Sequence, residues 1–573
     1  MDIKKYLSEK IEKVLLKLGY DTKYSVVAFC NNDLADLQCN CSFALAKIAH
    51  KSPMLIAQEI VYNLATEVSE QFDVSIVNGF INFKLTDKFL SQIANDCAAS
   101  DRLNIAKVDK PINLFIDYGG ANVAKPLHVG HMRSAIVGEA IKKLNIFLGN
   151  NVTSDVHLGD WGLQMGLVIA QLIDDYDMGY YFGKAVPKVD ITMAMLDVAY
   201  PKASLRKKDE PDFYNRASEI TLKLQQKVSG YYDIWLEMNK VCIEMVKASY
   251  LALGVTFDLW NGESSVNDLV PYVLDYLEQK HMVKISEGAK IVEVAEEGET
   301  QPMPPLLLLK SNGAQMYPIT EIATIVDRAK VYHPDEILYI TDNRQTLHFQ
   351  QVFRVVRKSG IVDDSIGLKH ITFGTVNGKD GKPFKTRDGG TFKLDDLIAM
   401  VTDKALEKLR ENKVDVPNIT ELSKMIGISA LIFGDLSNVI SRDYIFDLDK
   451  FMTFEGKTGP YLQYTAVRIK SILNKSDYTP MPINITAETR DIMINILKLI
   501  DSFDQAYKEN SLHSICLALY ELCSTFSNFY NNVKILATED YLTRQNYLNI
   551  LQLVYKAIDL GCGILGIKIP AKM

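Results

Sequence analysis

Long apolar runs are missing from this sequence. A membrane-spanning helix needs roughly 18–20 consecutive apolar residues, and the longest aliphatic block, Leu306-Leu307-Leu308-Leu309, is strand-sized. No membrane partner is expected. Cysteine is sparse and unpatterned. The eight cysteines form no C-x-x-C; Cys39 and Cys41 stand two apart, and Cys516 and Cys523 fall in a helical stretch. That excludes a disulfide framework, and the thiols read as buried and reduced, as in a cytoplasmic protein. Basic charge is not in excess: 63 Lys and Arg against 71 Asp and Glu leave a formal net charge of −8. A generally basic nucleic-acid coat is excluded; a local basic groove is not. Internal repeats and low-complexity tracts are absent, and the opening M-D-I-K-K-Y-L-S-E-K is expected to be a structural helix rather than a signal peptide.

What is present is ordinary globular chemistry. Apolar residues make up 47% and charged residues 23% of 573, enough for several cores and roughly three or four domains. Residues 1–107 read as a small α+β unit. Ile3, Leu7, Ile11, Val14, Leu15 and Leu18 recur at helical spacing up to Gly19, and S-I-V-N-G-F-I-N-F alternates around Asn78-Gly79, a hairpin signal. After a charged linker the pattern changes. Residues 112–117 read as a buried strand. A glycine-containing loop follows, and then a helix with Met132, Ile136, Ile141, Leu144, Phe147 and Leu148 on one face, closed by Gly149. Strand, loop, helix opens a doubly wound nucleotide-binding unit, a Rossmann-type parallel α/β sheet. A second strand is expected at 152–158. Residues 174–310 repeat no β-α unit and read as an insertion; the β-α pattern resumes near Tyr317, with a strand at 336–340. Beyond about 425 the pattern is almost wholly helical.

The loop carries K-P-L-H-V-G-H at 125–131. Alone, these residues describe a polar turn. A metal pair is disfavoured, because zinc histidines on a helix prefer i, i+4 spacing with a glutamate between; no metal ligand is assigned. Between a strand and a helix start, the reading shifts to phosphate. A helix N-terminus presents free N–H groups and partial positive charge. Gly130 lets the backbone approach a ligand, His128 and His131 can donate hydrogen bonds, and Lys125 adds a full charge.

The stretch 117–134, D-Y-G-G-A-N-V-A-K-P-L-H-V-G-H-M-R-S, resembles the signature region of class I arginyl-tRNA synthetases, and H-L-G-D-W-G-L-Q-M-G at 157–166 is similar to the family's next block. Ala121 departs from the proline common there. The resemblance implies that His128, Gly130 and His131 line an ATP triphosphate, with His348 near the nucleotide. Strict K-M-S-K-S is absent. Instead G-T-V-N-G-K-D-G-K-P-F-K-T-R-D-G-G-T-F-K spans 374–393, with Lys382 and Lys385 at K-x-x-K spacing. Its five glycines predict a mobile loop suited to closing over a triphosphate, and the family's diverged forms carry the extra upstream lysine, here Lys125. A solvated hairpin with incidental lysines is the alternative.

For the amino acid, the resemblance carries Asn122, Tyr317 and Gln345, together with the carboxylates Asp117 and Glu321; the family usually has aspartate at the last. Planar guanidinium takes bidentate carboxylate partners. Tyr317 and Glu321 share a face only where that segment is helical. Residues 444–469 and the end of the chain resemble the family's helical anticodon-binding domain, where Tyr461, Tyr464 and Arg468 are candidates for tRNA contact; stacking on a helix–helix interface is the alternative. The implied layout is an additional tRNA-binding domain at 1–107, a catalytic domain at 108–375, a loop-and-stem region at 376–430 and an all-α bundle at 431–573. The implied partners are tRNA, L-arginine and ATP with Mg²⁺, acting on a monomer. Three rivals compete: a small-molecule nucleotidyltransferase, which needs no long helical C-terminal domain; an inactive synthetase-like tRNA binder, which should lack His128, His131 or Lys385; and a class I synthetase for another amino acid.

Overall fold

A computed structural model describes residues 3–32, 34–384 and 392–573. The chain forms two compact units: Met1–Lys107 with Asn412–Phe433 and Met452–Met573, and Val108–Glu411 with Gly434–Phe451.

In the first unit the opening helix, Ile3–Lys17, buries Ile3, Leu7, Ile11, Val14 and Leu15, the stripe its periodicity demands. It accompanies an antiparallel sheet of Val27–Asn32, Ala35–Cys39, Phe80–Leu85 and Phe72–Val77, in that spatial order. The last two form the expected hairpin. Asn78 (φ 51°) and Gly79 (φ 91°) are both left-handed, which matches the turn twist to the strand twist. The rest of this unit is mainly helical, including Cys41–Ala49, Pro53–Val68 and Asp87–Ala99 beside the sheet and the bundle Gly459–Asn474, Arg490–Glu509, His513–Asn532 and Tyr541–Leu565. The last helix is long and apolar enough by composition to cross a membrane, yet Leu548, Leu551, Val554 and Ile558 are fully buried in the bundle. Arg490 joins the sheet to the helices. Its guanidinium lies 2.5 Å from both Asp36 and Asp87 and donates to the Leu85 carbonyl at 2.9 Å. Asn95 and the backbone of Ile483 exchange two further hydrogen bonds, at 2.8 and 2.9 Å.

The second unit is built on a parallel sheet. Its elements are β1 (Asn113–Asp117), α1 (Val129–Leu148), β2 (Asn151–Asp155), α2 (Tyr317–Tyr332), β3 (Glu336–Asp342), α3 (Thr346–Ser359) and β4 (Gly367–Phe373). The spatial order is β4-β3-β1-β2, all parallel, with Asp117 opposite both Tyr339 and Asp155. Succession therefore reverses at β1: β2 lies on one side and β3 on the other. Ligands of doubly wound sheets bind at such a switch point, outside the carboxyl ends of the strands. Phe115, Ile319, Ile322, Ile337, Tyr339 and Val352 fill the core beside it.

Two expectations shift. The strand expected at 152–158 stops at Asp155, because His157 takes a left-handed φ of 39° and the chain turns into the cavity. The region between β2 and α2 is not only helical: Val283–Ser286, Ala289–Val292 and Leu306–Leu309 form a small antiparallel sheet. Beyond 425, the two-residue strand Tyr444–Ile445 interrupts the helices by pairing with Val376–Asn377.

Candidate active site

The two histidines of 125–131 lock each other. His128 is the N-cap of α1. Its Nδ1 accepts from the Gly130 N–H at 3.1 Å, while Nδ1 of His131 accepts from the His128 N–H at 3.0 Å. Each Nδ1 is therefore an acceptor, and each neutral ring carries its proton on Nε2. The ring centroids are 3.9 Å apart. Burial holds both rings uncharged. The His128 pKa falls to about 4, with Lys125 and Arg344 adding to the burial effect, and burial followed by its neighbour His128 takes His131 well below the usual histidine range. The pair thus offers two oriented neutral donors. Gly130 has a second reason to be glycine: a β-carbon there would lie 2.9 Å from Cε1 of His128. The residue makes room for the histidine ring as well as for a ligand.

The next residues anchor this loop. Ser134 Oγ accepts from the Gly119 N–H at 2.8 Å and donates to the Ile340 carbonyl at 2.8 Å, joining β1, α1 and β3. Arg133, 1% exposed, donates to the carbonyls of Gly374 (2.6 Å) and Arg442 (2.9 Å) and stands 3.5 Å from Asp435.

A cavity of about 530 Å³ opens at the switch point, lined by both histidines, Gly130 and residues from β1, β3, α2 and α3. Asp117, Asn122, Tyr317, Glu321, Gln345 and His348 all line it. Tyr317 and Glu321 are one turn apart on α2, so the helix the pairing requires is present. One Glu321 oxygen is buried with no hydrogen-bond partner among the described residues. Asn122 pairs with Gly159, whose missing side chain accommodates it: a β-carbon would stand 2.3 Å from Oδ1. Asp117, at the end of β1, carries a partner that the sequence did not announce: its carboxylate already has an arginine. Nη2 of the buried Arg328 lies 2.6 Å from Asp117 and 3.0 Å from Asp155.

Glu263 also lines the cavity, and sequence reasoning missed it. It sits in the stretch without β-α pattern, and no motif or spacing marks it. Burial, then Asp160 and Glu321, pushes its carboxyl well above the usual range. His157 is a second addition to the lining.

Lys125 does not line the cavity. It is partly buried, and burial and then Arg344 lower its pKa. Lys382 is exposed, in a tight turn where Gly378 N–H donates to its carbonyl at 2.7 Å. Lys385 lies outside the described residues. The rings of Phe384 and Phe392 are 5.0 Å apart. The Val129 N–H donates to Phe392 O at 3.3 Å, and the Leu394 N–H to Leu127 O at 2.9 Å. The segment leaving the lysine loop is thus zipped onto the histidine loop.

Tyr461, Tyr464 and Arg468 lie partly buried on one face of Gly459–Asn474. Arg468 stacks over Tyr464 (4.5 Å) and Tyr530 (5.2 Å). Tyr461 is tied inward through Ser527 at 3.0 Å.

Comparison with known proteins agrees along the whole chain. Residues 94–448 match the family described as tRNA synthetases class I (R), catalytic domain; 462–573 match the DALR anticodon binding domain; and 1–85 match the arginyl tRNA synthetase N terminal domain. An arginine–tRNA ligase from Agathobacter rectalis is 39% identical, covering 99% of both chains. Arginyl-tRNA synthetase structures from Plasmodium falciparum (TM-score 0.85, 24% identity, 100% of this chain and 99% of that) and Thermus thermophilus (TM-score 0.82, 22% identity, 100% of both) share the fold. A cavity at a parallel-sheet switch point, opened by two reciprocally capped histidines and continued in sequence by an N-terminal and a helical C-terminal region that match the same family, makes this chain a member of the class I arginyl-tRNA synthetases, the arginine–tRNA ligases.

Proposed function

We propose that the cavity activates arginine with ATP at its own residues as follows. The reading rests on one observation: the Nδ1 atoms of His128 and His131 are both occupied by backbone N–H groups, which leaves two Nε2–H donors for the phosphates. The arginine carboxylate attacks the α-phosphorus of ATP. A new O–P bond forms, the bond to the bridging oxygen breaks, and pyrophosphate leaves. No side chain needs to act as nucleophile; positioning and charge stabilisation carry the step. Neutral donors suit this task, because they stabilise charge as it develops without binding the ground state as tightly as a cation would. Lys125 adds its charge from within the loop. Lys382 and Lys385 serve the departing pyrophosphate, with Mg²⁺ arriving as part of the nucleotide substrate. In the second step the terminal ribose hydroxyl of tRNA attacks the adenylate carbonyl and AMP leaves.

Glu321 and Glu263 grip the guanidinium and Tyr317 packs beside it. Asn122 and Gln345 hold the head group, and Gly130 and His348 border the nucleotide. Asp117 acts through Arg328, shaping the floor rather than meeting the substrate. Two carboxylates match a forked cation and leave lysine, a compact point charge, poorly paired. Unpaired buried carboxylates of this kind support discrimination of ~10⁴-fold or more.

The N-terminal sheet unit (1–107), the catalytic domain (108–375), the loop and stem (376–430) and the helical bundle (431–573) divide tRNA contact and chemistry, with Tyr464 and Arg468 on the tRNA face and Tyr461 supporting them. The scattered cysteines, without any C-x-x-C, fit a reducing cytoplasm, and the enzyme works there as a monomer. Aminoacylation of total tRNA with radiolabelled arginine, lysine, glutamate or cysteine tests the reading. Arginine alone is expected on the tRNA, with strict dependence on ATP; charging by another of the four would overturn it.

A further inference from the structure

Arg344 has no assigned role. It stands just after β3, in the short 3-10 turn Asn343–Gln345, and lines the same cavity as His128, Gly130 and His131. Its side chain is 80% exposed and is nonetheless held at both ends. Asp342 accepts from the Arg344 backbone N–H at 2.9 Å, from Nε at 2.7 Å and from Nη2 at 2.8 Å. Nη1 makes no hydrogen bond among the described residues. An ion pair between residues two apart, with its arginine largely in solvent, stabilises a fold very little. What it does here is fix a planar cation at the cavity lip with one edge engaged and the other free.

Its field points to the same place. After burial, Arg344 is the charge that lowers the pKa of Lys125; at His128 it adds to burial and Lys125, with its partner Asp342 acting the other way, so the guanidinium lies within reach of the loop proposed to hold the phosphates. The histidines are neutral and Lys125 is off the cavity. Among the described residues that line the cavity, the exposed fixed cation is therefore Arg344; the other lining arginines and lysines are none.

We propose that Arg344 is a further substrate-binding residue, donating from its free guanidinium edge to the ATP triphosphate while Asp342 holds the other edge. The proposal rests on reading the cavity as the ATP site. A guanidinium so oriented binds two phosphate oxygens at once, which an ammonium cannot. Asp342 sets the orientation and keeps the empty site from carrying an unbalanced charge.

The experiment is ATP–pyrophosphate exchange with saturating arginine and tRNA, on the full chain, for Arg344→Ala, Arg344→Lys, Asp342→Asn and His131→Ala. Arg344→Ala is expected to raise the KM for ATP about 10-fold or more, with the KM for arginine and for tRNA within about 2-fold of the parent. Arg344→Lys should recover part of the loss, and Asp342→Asn should raise the ATP KM less. An unchanged ATP KM in Arg344→Ala, while His131→Ala abolishes exchange, overturns the role of Arg344 and leaves the site reading standing. Exchange that survives His131→Ala overturns the site reading itself. A rise confined to the KM for tRNA also overturns the proposal, since the phosphate contacted would then belong to the tRNA. Unaltered thermal melting of Arg344→Ala, expected for a largely exposed arginine, keeps each of these outcomes readable.

Discussion

Arg328 and Asp117 are joined by a 2.6 Å ion pair beneath the cavity, and the same guanidinium nitrogen reaches Asp155 at 3.0 Å. A protein that selects free arginine thus keeps an arginine of its own under the pocket, neutralising two strand-end carboxylates. Replacing Arg328 by Met leaves both buried carboxylates uncompensated and should cost about 3–5 kcal/mol, read from urea unfolding. A loss below ~1 kcal/mol would show that the pair is not needed to balance them.

The same pair sets a pH dependence. Burial outweighs Arg328 and His157 and pushes the Asp117 carboxyl up to about 6. Between the ordinary carboxylate pKa, ~4, and about 6, the native state holds the proton that the unfolded chain has released. Stability from this group therefore falls as pH rises through that window. Unfolding midpoints at pH 4.5 and 7 should show the fall in the parent and lose that contribution in Asp117→Asn. An identical slope in both would assign the effect elsewhere.

The histidines make the opposite kind of statement. With the His128 pKa at about 4 and His131 well below its usual range, neither ring titrates near 6.5 in the folded protein. The exchange rate should show no histidine limb between pH 6 and 8, and His131→Ala should lower it at least ~100-fold throughout that range. A limb near 6.5 that vanishes in His128→Asn would contradict the reciprocal capping.

Glu263 is expected to release a proton when arginine enters. Glu263 is held protonated by burial and by its acidic neighbours, and an arriving guanidinium favours the carboxylate. Arginine should bind more tightly as pH rises. Calorimetry in buffers of different ionisation enthalpy measures the proton directly. Glu263→Gln should abolish the release and lower kcat/KM for arginine by ~100-fold, the loss of one charged hydrogen-bonded partner. Release that persists in this variant would move the proton to another group.

In the first unit, Arg490 should act as a clasp. Its side chain is 15% exposed and pairs with Asp36 and Asp87. Arg490→Ala is expected to cost about 2 kcal/mol and to speed hydrogen exchange in the helix Asp87–Ala99 ahead of the bundle helices. Uniform protection in the variant would mean that the Asn95–Ile483 bonds suffice.

The histidine loop, the first strand and helix, the Asn78-Gly79 hairpin and the Tyr317–Glu321 turn were legible because each is a local signal. Period, cap and turn chemistry lie within a few residues of one another. What was hidden is what the topology brings from far away. Arg328 meets Asp117 only because α2 packs beside β1 more than 200 residues later in the chain. Glu263 enters from a stretch whose pattern is helical and otherwise silent. Arg133, read as part of a signature, turns out to reach Gly374 and Arg442, contacts that no spacing announces.

The β-carbon that cannot fit at Gly130 makes the glycine and the first histidine one heritable unit. An alanine there would press on the imidazole before any nucleotide arrived, and the ring would have to shift to admit it. Two letters of the motif that look like separate requirements of the ligand are also a steric agreement between neighbours.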